Sequence, residues 1–395
     1  MKGLADGVPN RVIGYLLLFA GLAITPSLDA RSFSQPILHK SYGQALQERH
    51  AQGVIFAMAI MQLAVGRLLA TNSFSNRDQS LAGLSTAFGS LLYATGYGLN
   101  LGPGFAIAGG VLNLAGIAYL IARQPRGQYA REIRLILPVV AFGMFLNLAS
   151  AVPALAQNEV LADYLGEAAG LRRRMLRLAR VAALALSVLT LLYYGIPSSD
   201  DPFKYRFGGV LIFGAVGMPL VLTVAALFWI PAKYFLPFPA MAVLIGVVAA
   251  WLSAHRSANR LEQAGWLTIM VSLSVGLLMG LYAFDGPFPT PRFLGSYMEP
   301  ARRLSWTAHS YAVVLGIIAV FLAREIGGTR AIAWIRLSVA AYVVGGVVMI
   351  AVLIIRLITA VPPQAFALGP ILCIAGATAA LLLTYFDGLN HRTPD

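Results

Sequence analysis

Long uninterrupted apolar blocks constrain this chain more than any other feature. Many exceed the ~18 residues that mark a membrane-spanning helix. In lipid the backbone has no water to bond, so each block must satisfy its own N–H and C=O groups as a helix. Hydrophobic residues make up 58% of the 395, and charged residues only 11%. The charged share is less than half the roughly 25% of average soluble proteins. A soluble enzyme, a disordered chain and a disulfide scaffold are excluded. An outer-membrane barrel is disfavoured, because its strands would alternate rather than run apolar.

Twelve spans are expected, at about 12–28, 51–70, 80–98, 103–122, 134–155, 177–195, 208–230, 234–254, 263–284, 304–323, 332–358 and 365–386. The fold class is therefore all-α and polytopic, with residues 1–395 as a single membrane domain. Pro26 to Arg31 lacks a good small-residue cleavage site, so the first span is expected to be retained. Three connections are long. Residues 29–50 contain His39, Lys40 and His50. Residues 156–176 begin acidic and end in Arg172, Arg173 and Arg174, as a short surface helix would. Residues 285–303 hold four prolines and form an irregular loop. Spans two to four and ten to twelve share a faint likeness, but no half-to-half repeat is evident.

The net charge of +13 arises from 29 Lys+Arg against 16 Asp+Glu. These bases sit mostly between apolar blocks, so they read as topology signals and anionic-lipid contacts, not as a nucleic-acid surface. The expected partner is the lipid bilayer. The even span count places both termini on one side. A small excess of Lys and Arg on the inner segments makes that side cytoplasmic, in a cell inner membrane, although Arg172, Arg173, Arg174, Arg177 and Arg180 count against it. The lone cysteine, Cys373, lies in an apolar block and allows no internal disulfide.

Ionisable groups inside a bilayer are functional candidates by default. No Asp, Glu or Lys stands near the middle of a span, which argues against a proton pump or an ion channel. Of five histidines, His39 and His391 read as solvent residues and His255 as part of an interfacial charge cluster. His50 opens span two and His309 lies early in span ten. Both spans run in the same direction, which places the two imidazoles at comparable depth. Two such histidines suit the axial positions of a heme held between helices; unrelated interfacial histidines are the plainer alternative. Arg49, Arg302 and Arg303 flank them, placed either to pair with heme propionates or as ordinary interfacial arginines.

The segment Arg49-His50-Ala51-Gln52-Gly53-Val54-Ile55-Phe56-Ala57-Met58 resembles the second helix of the heme–copper oxidase catalytic subunit. The likeness is strongest to C-type oxidases and nitric oxide reductases. Phe284-Asp285-Gly286-Pro287, then Trp306-Thr307-Ala308-His309-Ser310-Tyr311 and Gly316, resembles the family's helices nine and ten. The resemblance implies a twelve-helix oxidase-like bundle carrying heme b, one or two, with His50 at the low-spin and His309 at the high-spin ligand position. It departs from the family at several points. Tyr311 stands where a second histidine is expected. Lys233 and Tyr234 replace the His-His pair after Trp229, and span six has no histidine, with Arg177 near the corresponding place. Copper is therefore not expected, nor is oxygen reduction at a heme–copper centre. The implied roles are electron transfer, gas binding or service as a partner of other membrane or cytochrome subunits. The alternatives are a cofactor-free scaffold and a twelve-helix transporter.

Overall fold

The computed structural model describes residues 8–32, 42–70, 74–98, 101–126, 129–152, 158–166, 170–194, 202–255, 259–285, 288–294, 300–326, 333–355 and 365–390. Regular structure among them is entirely helical: α1 Val8–Ser32, α2 Tyr42–Ala70, α3 Asn76–Gly98, α4 Pro103–Arg123, α5 Ala130–Ala151, α6 Glu159–Leu165, α7 Leu171–Tyr194, α8 Pro202–Leu227, α9 Pro237–His255, α10 Arg260–Gly280, α11 Pro300–Ile326, α12 Ala333–Ile355 and α13 Ala365–Asn390. Short 3-10 turns occupy Ile230–Phe235, Ala283–Asp285 and Arg292–Leu294. Ten helices among the described residues are long and apolar enough to cross a membrane. The chain is a polytopic all-α membrane protein.

Two of the expected spans are not among these ten. Of α1, the described stretch Val8–Ala23 is apolar. Helix α3 is punctuated by Ser80, Ser85, Thr86, Ser90 and Thr95. Ser85, Thr86 and Ser90 are bonded to neighbouring helices, whereas Ser80 and Thr95 bond to the backbone of α3 itself. Thr86 and Ser90 are fully buried and hydrogen-bonded. The boundaries also move. Helix α2 begins at Tyr42 instead of 51, taking up part of the expected connection 29–50, and the surface helix expected in 156–176 is α6.

The chain divides into two compact units. One comprises Met1–Leu18, Gly53–Ala250 and Leu277–Pro289; the other comprises Phe19–Gln52, Trp251–Gly276 and Thr290–Asp395. In the first unit a polar network is sealed among α1 to α4. Asn10 Nδ2 donates to Gln62 Oε1 at 2.6 Å and lies 2.9 Å from Thr86 Oγ1. Gln62 Nε2 donates to Ser90 Oγ at 2.8 Å, and Ser90 Oγ donates to Asn113 Oδ1 at 3.1 Å. Such groups are costly to leave unpaired away from water, so the network fixes the rotation of each helix about its axis. In the second unit α10 and α11 are tied at one end by Glu262 and Arg324. These side chains are each 8% exposed and paired at 2.8 Å.

Glycines set how closely the helices cross, and the same crossing recurs. A Cβ on Gly96 would stand 2.7 Å from Ala106 N, one on Gly345 2.6 Å from Cys373 N, and one on Gly214 2.7 Å from Val243 N. Three residues before each of these glycines stand Tyr93, Tyr342 and Leu211. Each is met within 3.0 Å by the Cβ position of a glycine on the partner helix: Gly109, Gly376 and Gly246 respectively. The hairpins α3–α4, α8–α9 and α12–α13 are thus built on one pattern. Two of them share the sequence frame Leu-Gly-Pro-x-x-x-Ile-Ala-Gly, at 101–109 and 368–376.

Candidate functional site

Helix α11 carries His309 and Tyr311 two residues apart. A helix turns 100° per residue, so the two side chains leave on nearly opposite sides. Tyr311 is buried and donates from Oη to Gln52 Oε1 at 2.8 Å. Gln52 Nε2 in turn donates to Gly21 O at 3.1 Å. His309 faces the other way, onto α10. Its Nδ1 lies 2.8 Å from Ser272 O, and Ser272 Oγ donates to His309 O at 2.8 Å. A carbonyl only accepts, so the bond to Ser272 O requires the proton on Nδ1. In the neutral ring the lone pair then sits on Nε2. Gly276 makes room for the imidazole: a Cβ there would lie 2.5 Å from His309 Cε1.

Gln52 and His309 hold matching places in two helix pairs. A Cβ on Gly14 of α1 would stand 2.8 Å from Leu63 of α2, and one on Gly265 of α10 would stand 2.8 Å from Val320 of α11. Eleven residues before Leu63 and Val320 stand Gln52 and His309. Seven residues after the two glycines stand Gly21 and Ser272, whose carbonyls receive them. The sequence pointed to His309 but not to Gln52, Ser272 or Gly276. The available signal was the spacing Gly265-x6-Ser272-x3-Gly276, which lines one face of span nine with small residues.

The other expected site residues are placed as follows. His50 and Arg49 lie on α2 and Arg303 on α11, with side chains outside the described residues; His39 and His391 also lie outside them. Position 50 is about 200° around α2 from Gln52, the residue that meets α11. Arg302 is buried in the first turn of α11. Tyr311 is committed to Gln52. Lys233 Nζ donates to Phe284 O at 2.7 Å. His255 ends α9, its ring 5.9 Å from that of Trp251. Among the described residues no cluster of three or more His, Cys, Asp or Glu side chains forms a metal-binding group.

The donors present suit heme in one respect. An imidazole whose Nδ1–H is anchored on a backbone carbonyl, with Nε2 left as the lone-pair nitrogen, is the arrangement of a metal-ligating histidine. His309 meets that requirement. Comparison of the sequence with protein-family models finds no match, and comparison with curated proteins finds none either.

Proposed function

We propose that this polytopic protein binds heme b in the membrane through His309, and serves electron transfer, gas binding or a partner role in a respiratory-type complex. The observation that supports this reading is the Nδ1 anchor on Ser272 O, which presets the ring and keeps the lone pair on Nε2, the nitrogen that lies over Gly276 of α10. Bound there, heme would supply a one-electron couple or a gas-binding iron. The protein's part is to fix the ring, which Ser272 does, and to give it room, which Gly276 does. His50 is the second ligand expected from the resemblance and is tested separately.

The test is an optical spectrum of the detergent-purified protein, oxidised and dithionite-reduced, with a pyridine hemochrome assay and metal analysis. About one heme b per chain supports the reading. His309→Ala is expected to abolish the Soret band, His255→Ala to leave it, and His50→Ala to abolish it if His50 is the second ligand. Protein isolated without heme from cells that make it, or full heme content in His309→Ala, overturns the reading.

The close seating of His309 against Gly276 favours a second reading, a cofactor-free scaffold in which the imidazole is an interhelical clasp. It predicts no Soret band in the wild type and a lower melting temperature for His309→Ala.

A further inference from the structure

The connection between α8 and α9, in the first unit, is built against the usual chemistry of an exposed turn. Turns that face water are rich in Gly, Asn, Asp, Ser and Pro. Residues 228–236 instead read Phe-Trp-Ile-Pro-Ala-Lys-Tyr-Phe-Leu. Phe228 is 76% exposed and Phe238, in the first turn of α9, is 67% exposed. Trp229, Tyr234 and Phe235 are each at least half exposed. The one charged residue of the turn, Lys233, reaches back into the fold, where Nζ donates to Phe284 O at 2.7 Å.

The backbone is treated in the same way. Arg172 Nη1 of α7 donates to Ala226 O at 2.7 Å, and Tyr164 Oη of α6 donates to Leu227 O, so the last carbonyls of α8 are met by side chains. The N–H groups of Phe228 and Trp229 both reach Val224 O at 2.9 Å. That of Ala232 reaches Trp229 O at 2.9 Å, and that of Leu236 reaches Lys233 O at 3.1 Å. Pro231 and Pro237 have no N–H to satisfy. Polar groups bonded inward and rings turned outward suit a medium poor in water.

The two helices indicate which medium. The apolar stretch Phe207–Leu227 of α8 has 21 residues and α9 has 19. Each covers about 30 Å, the thickness of the hydrocarbon core, which leaves the turn at its edge. Phe238, Met241, Ile245 and Leu252 are exposed along one stripe of α9, and Phe213 and Leu220 along one of α8. The aromatic cluster continues this lipid-facing surface. Rings with a polar tip, those of Trp and Tyr, gather at the headgroup level.

We propose that the α8–α9 turn is a bilayer anchor, seated at the boundary between the headgroups and acyl chains of a phospholipid bilayer. Phe228, Trp229, Phe235 and Phe238 lie against the upper acyl chains, and Tyr234 keeps its hydroxyl among the headgroups. The anchor does not depend on the heme reading.

The test uses the full-length protein in phosphatidylcholine vesicles. The fluorescence of Trp229 is taken as the difference between the wild type and Trp229→Phe, a variant that keeps a ring in place. Phosphatidylcholine brominated high on the acyl chain is expected to quench that difference signal most. Lipid brominated near the chain end is expected to quench it less, and iodide present on both faces of the membrane least. Phe228→Asp is expected to move the turn toward water and raise quenching by iodide, whereas Phe228→Leu leaves the pattern of the wild type. Quenching of wild-type Trp229 by iodide in preference to brominated lipid overturns the proposal and puts the turn in water. Resistance to every quencher also overturns it, and would show that a second copy or another protein covers the rings.

Discussion

His309 and Tyr311 show how one helix serves two neighbours. The 200° between them sends the imidazole to α10 and the phenol to Gln52, so α11 is held from both sides by polar bonds. Span ten made His309 legible as an unusual residue in an apolar block. The orientation of Tyr311 was not legible: a tyrosine two residues from a histidine carries no sign of which helix it meets. Gly276 was equally silent, because a glycine in a transmembrane helix is common and its use depends on what approaches it. That use is testable. Gly276→Ala places a methyl 2.5 Å from His309 Cε1 and should displace the ring, at a cost of about 1–3 kcal/mol. Gly209→Ala, with nothing within 4 Å of the new Cβ, should be neutral or slightly stabilising. Thermal unfolding of the two variants in the same detergent distinguishes them. Equal melting temperatures would mean that the imidazole is not confined by α10.

At the scale of elements, the helix ends are tied by polar contacts, some local and some between residues far apart in sequence. Ser75 Oγ donates to Asp78 Oδ2 at 2.6 Å, Tyr119 Oη donates to Asp78 Oδ1 at 2.7 Å, and Arg123 Nε lies 3.2 Å from the same oxygen. The first turn of α3 is thereby fastened to the end of α4. The Ser75 hydrogen bond first, then that of Tyr119, and the charge of Arg123 hold the Asp78 carboxyl below its ordinary value. A carboxylate depressed in the folded state contributes stability that is complete above its unfolded pKa of ~3.9 and is lost as pH falls through the lower folded value. The melting temperature of the wild type should therefore fall more steeply than that of Asp78→Asn as pH drops below about 4. Parallel curves would remove Asp78 from the acid response. The ion pair at the other helix pair is better shielded. Arg324→Leu strands Glu262 nearly buried and should cost about 3–5 kcal/mol, read as a lowered unfolding midpoint. The apolar blocks announced each of these helices. The partners of Asp78 and Glu262 were not announced, because hydropathy records the length of a span and not its neighbours.

Across the whole molecule, alternating crossings make one claim that holds whichever membrane the protein occupies. Within the first unit, only α5 separates the end of α4 from α6, whereas α7 and α8 separate α6 from the α8–α9 turn. One crossing changes the side and two restore it. Span lengths alone carried this much of the topology. The repeated glycine hairpins did not show in hydropathy, because Tyr93, Tyr342 and Leu211 fill equivalent places with different residues, and only two of the three hairpins keep the Leu-Gly-Pro frame. Sidedness can be read directly, since the single native cysteine, Cys373, is fully buried and gives little background with a membrane-impermeant maleimide. Val160→Cys and Tyr234→Cys, both at exposed positions, should label from the same side of sealed vesicles. Arg126→Cys, exposed just past the end of α4, should label only from the other. If the termini are cytoplasmic, 160 and 234 are the outer pair. Labelling of 126 and 160 from one side would show that α5 does not cross, despite 22 residues of apolar helix.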